Sequence, residues 1–252
     1  MGGTIKTQND DFLCIEEFQS ATEFQNLCYE NTCTIDYFLL GFWAISRLSK
    51  NAMDIMDKNI DVHVTKYLKR IIELIEINEW DRARTLWVIG VMKMKPINWK
   101  FDLFGFQSDF FINYIMPLQE LRFYCESCQT EFNSLTEFFL TRTSNKDVTI
   151  YNRLEEDCPF CKNLIKGQFK RNPFCIFFSI LSQIDLIDIP PTVTIDFRKF
   201  NLICLTFHSF QHFKSLFYVQ KSFYLVDDLL PSQLINSVPN NPEISYILYF
   251  LE

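Results

Sequence analysis

Apolar residues recur at three- and four-residue spacing along the first half of the chain. Ile35, Phe38, Leu39, Phe42 and Ile45 do so inside Cys33–Ser49, which predicts a helix, and Asn31 and Thr32 just before it are residues suited to an N-cap. Val64, Tyr67, Leu68, Ile71, Ile72 and Ile75 form a second stripe and predict a helix over about 62–77. Further helices are expected over Asp81–Met94 and Ser108–Met116. After about residue 120 the period changes. Thr192–Phe197, Leu202–Phe207, Leu216–Val219, Phe223–Val226 and Ile244–Phe250 are short, rich in β-branched and aromatic residues, and several alternate, so they read as strands. Helices first and strands second indicate an α+β domain. The polar stretch Thr141–Asp157 reads as a loop or hairpin tip, and residues 1–21 as a flexible lead-in.

Composition narrows the function. With 48% hydrophobic and 22% charged residues in 252, the chain can bury a sizeable core. It has only 6 glycines and contains neither G-x-G-x-x-G nor a P-loop, which removes the common nucleotide-binding motifs. The balance of 24 basic against 31 acidic residues gives −7, so no nucleic-acid partner is expected. Trp80, Trp87, Trp99 and the aromatic stripes are expected in the core, and His63 on a helix surface; phenylalanine is heavy, at 27 residues. No apolar run approaches the roughly 18 residues that span a bilayer. The first residues lack a hydrophobic signal core, and Lys6 stands where a myristoylation signal needs Ser or Thr. A cytoplasmic or nuclear location without membrane attachment is the expectation.

The cysteines add chemistry. Four of the nine form Cys125-Glu-Ser-Cys128 and Cys158-Pro-Phe-Cys161, with 29 residues between the pairs. Two such knuckles supply four thiolates to a tetrahedral Zn²⁺. With all positions taken by protein, that zinc is structural, and a hairpin or short insertion must fill the long gap.

Cys33 starts a helix, where the positive end of the dipole favours a thiolate, as a nucleophile requires. Far along the chain, the strand-like run His212–Val219 turns at Gln220–Ser222 and returns through Phe223–Asp228. Antiparallel pairing sets His212 beside Asp227, so that the carboxylate orients the imidazole: nucleophile, base and orienter. His208 lies four residues before His212, and continuous strand alternation would place both on one face.

These motifs, in this order, resemble the ubiquitin-specific protease family of papain-like cysteine peptidases. Asn31-Thr32-Cys33-Thr34-Ile35-Asp36-Tyr37-Phe38-Leu39-Leu40 is similar to its box N-T-C-Y-M-N-S-x-L-Q. Phe106-Gln107-Ser108-Asp109-Phe110-Phe111 is similar to Q-Q-D-A-x-E-F, and Ile189–Phe200 to L-P-P-x-L-x-x-x-L-x-R-F. Gln211-His212-Phe213 with Phe223–Asp228 resembles G-H-Y-x-x-Y followed by W-Y-x-F-D-D, and Ser245–Tyr249 resembles A-Y-x-L-x-Y. The paired knuckles resemble the zinc ribbon of the family's fingers.

The resemblance implies a papain-like fold: a helical thumb over 22–118, zinc-ribbon fingers over 119–170 and an antiparallel β palm over 171–252. It implies Cys33 as nucleophile, His212 as general base and Asp227 as orienting residue, with Asp228 and Asn31 in support. It implies cleavage of ubiquitin, or of SUMO, from lysine through a thioester acyl-enzyme. The Cys33-x-x-Asp36 spacing resembles the branch that acts on SUMO. Where the family has an oxyanion-binding Asn, this chain has Cys28, and Gln211 replaces the Gly before the histidine. Two alternatives stand beside this reading: a catalytically inactive member that binds a ubiquitin-like protein, and a zinc-stabilised scaffold.

Overall fold

The computed structural model describes residues 23–24, 27–58, 63–135, 138–142, 148–152, 154–181, 183–209, 212–227, 230–234 and 243–252. A small sheet opens the chain: β1 (Glu23–Phe24) pairs antiparallel with β2 (Leu27–Glu30). The polypeptide then turns at Asn31, whose φ of 56° is left-handed, and enters α1 (Cys33–Leu48). The expected N-cap does not form: Thr32 has helical φ and ψ and makes no side-chain cap bond. Thr34 instead shares its hydroxyl proton between the carbonyls of Asn31 and Leu103, each at 3.3 Å. From Cys33 to Phe42 every residue of α1 is buried, so a helix read as one-sided is covered on all sides.

The remaining helices cover α1 from one side. They are α2 (Ala52–Asp57), α3 (His63–Glu76) and α4 (Trp80–Thr85), which runs on into a wide turn at Leu86–Val91. There the Met92 N–H reaches back five residues to the Trp87 carbonyl. β3 (Lys100–Asp102) then runs parallel to β2. The expected helix at 108–116 is helical but irregular: a wide turn (Ser108–Ile112), one turn of α5 (Asn113–Ile115), then a tight 3₁₀ turn (Met116–Gln119) containing Pro117. Phenylalanine fills the space between. Trp87 stacks on Phe111 at 4.2 Å, Phe111 on Phe38 at 4.7 Å, and Phe38 meets Phe177 edge-on. Trp80 and Trp87 are core as expected, but Trp99 is 68% exposed, because the turn before β3 carries it outward. His63 is exposed at the start of α3, with Nε2 3.2 Å from the Gly90 carbonyl.

The second half is sheet. β4 (Glu120–Cys125), β5 (Thr130–Leu135), β8 (Glu155–Asp157) and β9 (Leu164–Phe169) form a four-stranded antiparallel sheet in the order β5-β4-β9-β8. Between them β6 (Phe138–Arg142) and β7 (Val148–Asn152) form a hairpin, so part of the polar Thr141–Asp157 stretch is strand. That hairpin belongs to the large sheet, not to the knuckles. β10 (Cys175–Ile180), β11 (Thr192–Ile195), β12 (Arg198–Ser209), β13 (His212–Val219), β14 (Ser222–Asp227), β15 (Leu230–Leu234) and β16 (Glu243–Leu251) complete it. Its order is β15-β14-β13-β12-β16-β10-β6-β7, with β11 on β12. Every contact is antiparallel except β6 with β10, which is parallel and departs from the purely antiparallel sheet expected.

α1 lies directly on this sheet. A Cβ added to Gly41 would sit 3.0 Å from Leu248 Cδ2 and 3.3 Å from Cys204 Sγ, so glycine sets the approach of helix to strands. On its other side α1 buries Asp36 completely. Arg84 meets that carboxylate in two hydrogen bonds of 2.9 and 3.0 Å and reaches Asp81 at 2.8 Å. A buried charge without its partner costs far more than the pair contributes. Arg84→Met is therefore expected to destabilise the protein by about 3–5 kcal/mol in urea unfolding, and Asp36→Leu with Arg84→Met to recover most of that loss.

Candidate functional site

Cys33 opens onto a cleft of about 370 Å³ where α1 meets the ends of β12, β13 and β16. One wall is the Phe104-Gly105-Phe106 loop after β3; the other carries His208, Phe213, Glu243 and Ser245. Asn31 joins floor to rim: its Nδ2 donates to Asp102 Oδ1 at 2.7 Å, and the same oxygen accepts the Phe104 N–H at 3.0 Å. The Asn31 amide, helped by that N–H, holds the Asp102 carboxyl below the usual range. The rim depends on Gly105, where φ is +156° and a Cβ would lie 2.8 Å from the Phe110 ring. Phe104 and Phe106 stand 69% and 73% exposed at the mouth.

The hairpin β13–β14 turns at Gln220 and Lys221, both with positive φ, and its far ends come together. His212 Nε2 lies 3.1 Å from Asp227 Oδ1, and the Tyr37 hydroxyl is 3.4 Å from the same nitrogen. Tyr37 follows Cys33 by one turn on α1, which ties this pair to the helix carrying the thiol. Asp227 is buried, and its second oxygen also holds Lys214 Nζ at 2.8 Å. Among the described residues the Cys33 thiol has one polar contact, to the Asn31 carbonyl at 4.0 Å, and no hydrogen bond to either histidine.

The histidines do not share a face. The chain reverses between Ser209 and His212, so the ladder pairs His208 with Phe213 and Ser209 with His212. Adjacent pairs project in different directions. His208 goes with Phe213 into the cleft, while His212 meets Tyr37 and Asp227. Alternation along one unbroken strand would have put them together; the reversal is what separates them.

Cys28 lies on β2 with Lys100 as its cross-strand partner, and its N–H is used by the Trp99 carbonyl at 2.9 Å. Strand alternation buries its neighbour Tyr29, and Cys28 is not part of the cleft lining. At the start of α1 the Ile35 and Asp36 N–H groups bond to the Thr32 carbonyl at 2.9 Å, which leaves those of Cys33 and Thr34 without an intrahelical acceptor. Asp228 and Gln211 lie outside the described residues. Tyr37, Lys214, Glu243 and the Phe104–Phe106 rim gave no sequence signal of their own; only chain pairing places them here.

A second constellation sits on the four-stranded sheet. Cys125 and Cys128 flank the β4–β5 turn, and Cys158 and Cys161 the β8–β9 turn. Their four sulfurs lie within 4.8 Å of one another, with Cys125–Cys161 and Cys128–Cys158 at 3.4 Å. A tetrahedral zinc with Zn–S near 2.3 Å sets its sulfurs about 3.8 Å apart, so the donor set fits such an ion. Knuckle amides point at the sulfurs. The Cys161 N–H, against some desolvation and with help from the Phe160 N–H, brings the Cys158 thiol down to about 6. Cys161, despite the Asn163 N–H, is pushed up to about 12 by the crowding of Cys125 and the other sulfurs. A cation at their centre removes that crowding.

Among the described residues no helix is long and apolar enough to cross a membrane. The chain matches no protein-family model and no curated protein. Among solved structures, the SAGA DUB module of Ubp8, Sgf11, Sus1 and Sgf73 bound to monoubiquitin shares 10% identity, over 95% of this chain and 70% of that chain, at a TM-score of 0.46. The Ubp8-Sgf11-Sgf73-Sus1 SAGA DUB module shares 11%, over 97% and 69%, at a TM-score of 0.48.

Metal content gives a direct test of the four-cysteine group. The protein should carry one equivalent of zinc by elemental analysis, and Cys158→Ser should lose it. Chelation should lower Tm by several degrees, since an ion there would tie together two turns that are otherwise joined by the Asn163–Ser127 hydrogen bond and by strand pairing.

Proposed function

We propose that this chain is a thiol isopeptidase of the ubiquitin-specific protease type, with Cys33 as nucleophile and His212 with Asp227 as its base and orienter. The observation that carries the reading is the 3.1 Å His212–Asp227 pair, brought by Tyr37 against the helix that begins with Cys33. The ordered sequence motifs supply the substrate class: the C-terminal carboxyl of ubiquitin, or of SUMO, joined to a lysine amine. In this reading residues 22–118 are the thumb, 119–170 the zinc-bearing fingers and 171–252 the palm.

The chemistry follows from the parts. The Cys33 thiolate, paired with the His212 imidazolium, attacks the carbonyl carbon of the bond. Asp227 holds the imidazole in one tautomer and balances its charge. The free N–H groups at the start of α1 receive the developing oxyanion, a place Cys28 does not occupy. Phe104 and Phe106 flank the cleft as an apolar clamp for the extended tail that must thread to the sulfur. A zinc held by Cys125, Cys128, Cys158 and Cys161 would supply no chemistry to this step and would order the sheet that carries those residues.

A second reading has its own observation. The Cys33 thiol rests on a backbone carbonyl and Asp227 is shared with Lys214, as suits a binding module that does not turn over. Probes of ubiquitin and SUMO with a thiol-reactive C-terminus separate the two. The isopeptidase reading predicts an adduct with one probe that Cys33→Ala abolishes without lowering Tm. It also predicts a loss of about 10²–10⁴-fold in labelling rate for Asp227→Asn, the range a positioned general base contributes. Binding of either modifier without an adduct would establish the module instead.

A further inference from the structure

We propose that Lys214 is a positioning residue of the site: it fixes the Asp227 carboxylate, and through it the His212 ring that serves Cys33. This deepens the isopeptidase reading and rests on it. Lys214 stands at an open position of the motif that begins at Gln211, so the resemblance gives it no role.

Strand geometry places it. His212 and Lys214 are two residues apart on β13, so both side chains project to one face. On β14, Val226 is the cross-strand partner of Ser215, which sets the next residue, Asp227, beside Lys214. The buried carboxylate meets both side chains. Its Oδ1 lies 3.1 Å from His212 Nε2, and its Oδ2 lies 2.8 Å from Lys214 Nζ. Tyr37 approaches the same imidazole from α1, with its hydroxyl 3.4 Å from Nε2. Lys214 does not line the cleft, so it acts through Asp227 rather than on a substrate.

A carboxylate on a short side chain turns easily about its last bond, whose preferred angles are broad. A contact at one oxygen leaves that rotation open. A second, charge-assisted contact at the other oxygen closes it and fixes the line from Oδ1 to Nε2. A displacement of about 1 Å in a catalytic group costs up to about 10²-fold in rate, which is the scale on which such fixing acts. Lys214 also carries a charge that opposes positive charge on the ring. Its side chain is 26% exposed, so water screens that charge, whereas its contact with Asp227 is made to a buried oxygen. The contact therefore outweighs the repulsion, and loss of Lys214 slows the enzyme.

The test measures kcat/KM on ubiquitin, and in parallel on SUMO, carrying a C-terminal fluorogenic amide. Lys214→Met keeps the length of the stem, and Lys214→Ile suits a strand; both remove the contact. Each should lower kcat/KM by about 10–10²-fold. Lys214→Arg, which restores a charged donor to the carboxylate, should recover most of the loss. In an Asp227→Asn background Lys214→Met should add little, because the two residues act as one unit. The His212 ring N–H gives a readout independent of turnover. Its proton resonance should be sharp in the unsubstituted protein and in Lys214→Arg, and broadened by exchange with water in the two neutral variants. Unchanged or raised kcat/KM in a folded neutral variant overturns the proposal. So does a loss that persists in full beside Asp227→Asn, since Lys214 would then act elsewhere. If the unsubstituted protein turns over neither substrate, the isopeptidase reading fails. The ring resonance then still reports whether Lys214 holds the pair, and a resonance unaffected by either neutral variant overturns the proposal by itself.

Discussion

Everything in this molecule is hung on α1. The helix is buried from its first residue to Phe42, and Gly41 lets it settle onto Leu248 and Cys204 of the large sheet. Its second side is fixed by a charge: Asp36, fully buried, is met by both donors of the Arg84 fork. One helix thus locks the helical half to the strands, and the same helix presents Cys33 at its start and Tyr37 one turn on. The thiol's position is set by packing along the whole helix rather than by a cap, for no cap bond forms at Thr32. A site built this way tolerates little change in helix-to-sheet distance, because the imidazoles are held by the strands and the sulfur by the helix.

Much of this architecture can be read from the chain. The three- and four-residue apolar spacing locates α1 and α3 within a residue or two of their ends, because long amphipathic stripes bury only as helices. The turn at Gln220–Lys221 and the two runs beside it foretell the hairpin that joins His212 to Asp227. The two C-x-x-C pairs converge as four sulfurs, since each knuckle is a local structure that needs only its partner nearby. What escapes is what depends on pairing between distant segments. No local pattern tells that β6, lying between the knuckles, crosses to pair with β10 and carries β7 with it, nor that Glu243 falls opposite His208.

The misreadings share a cause. His208 and His212 are four apart, and alternation places such residues on one face only while the strand continues. β13 runs antiparallel to β12 with Ser209 opposite His212, so the two histidines take opposite faces. Cys28, which stands where the resemblance expects an Asn, has Lys100 as its cross-strand partner on β3. Trp99, Phe104 and Phe106 look like core by residue type; the turn before β3 carries Trp99 outward, and the Gly105 loop turns Phe104 and Phe106 out to line the cleft.

The central claim is that Cys33 is a nucleophile served by the hairpin's histidine. The most direct test is the mass of the zinc-loaded protein after exposure to ubiquitin and SUMO probes with thiol-reactive C-termini, run beside Cys33→Ala and His212→Ala. The account predicts one covalent adduct, mapped to Cys33, absent from the first variant and strongly slowed in the second. Folded, zinc-loaded protein that forms no adduct with either probe, or one that forms it equally well in Cys33→Ala, would contradict the account.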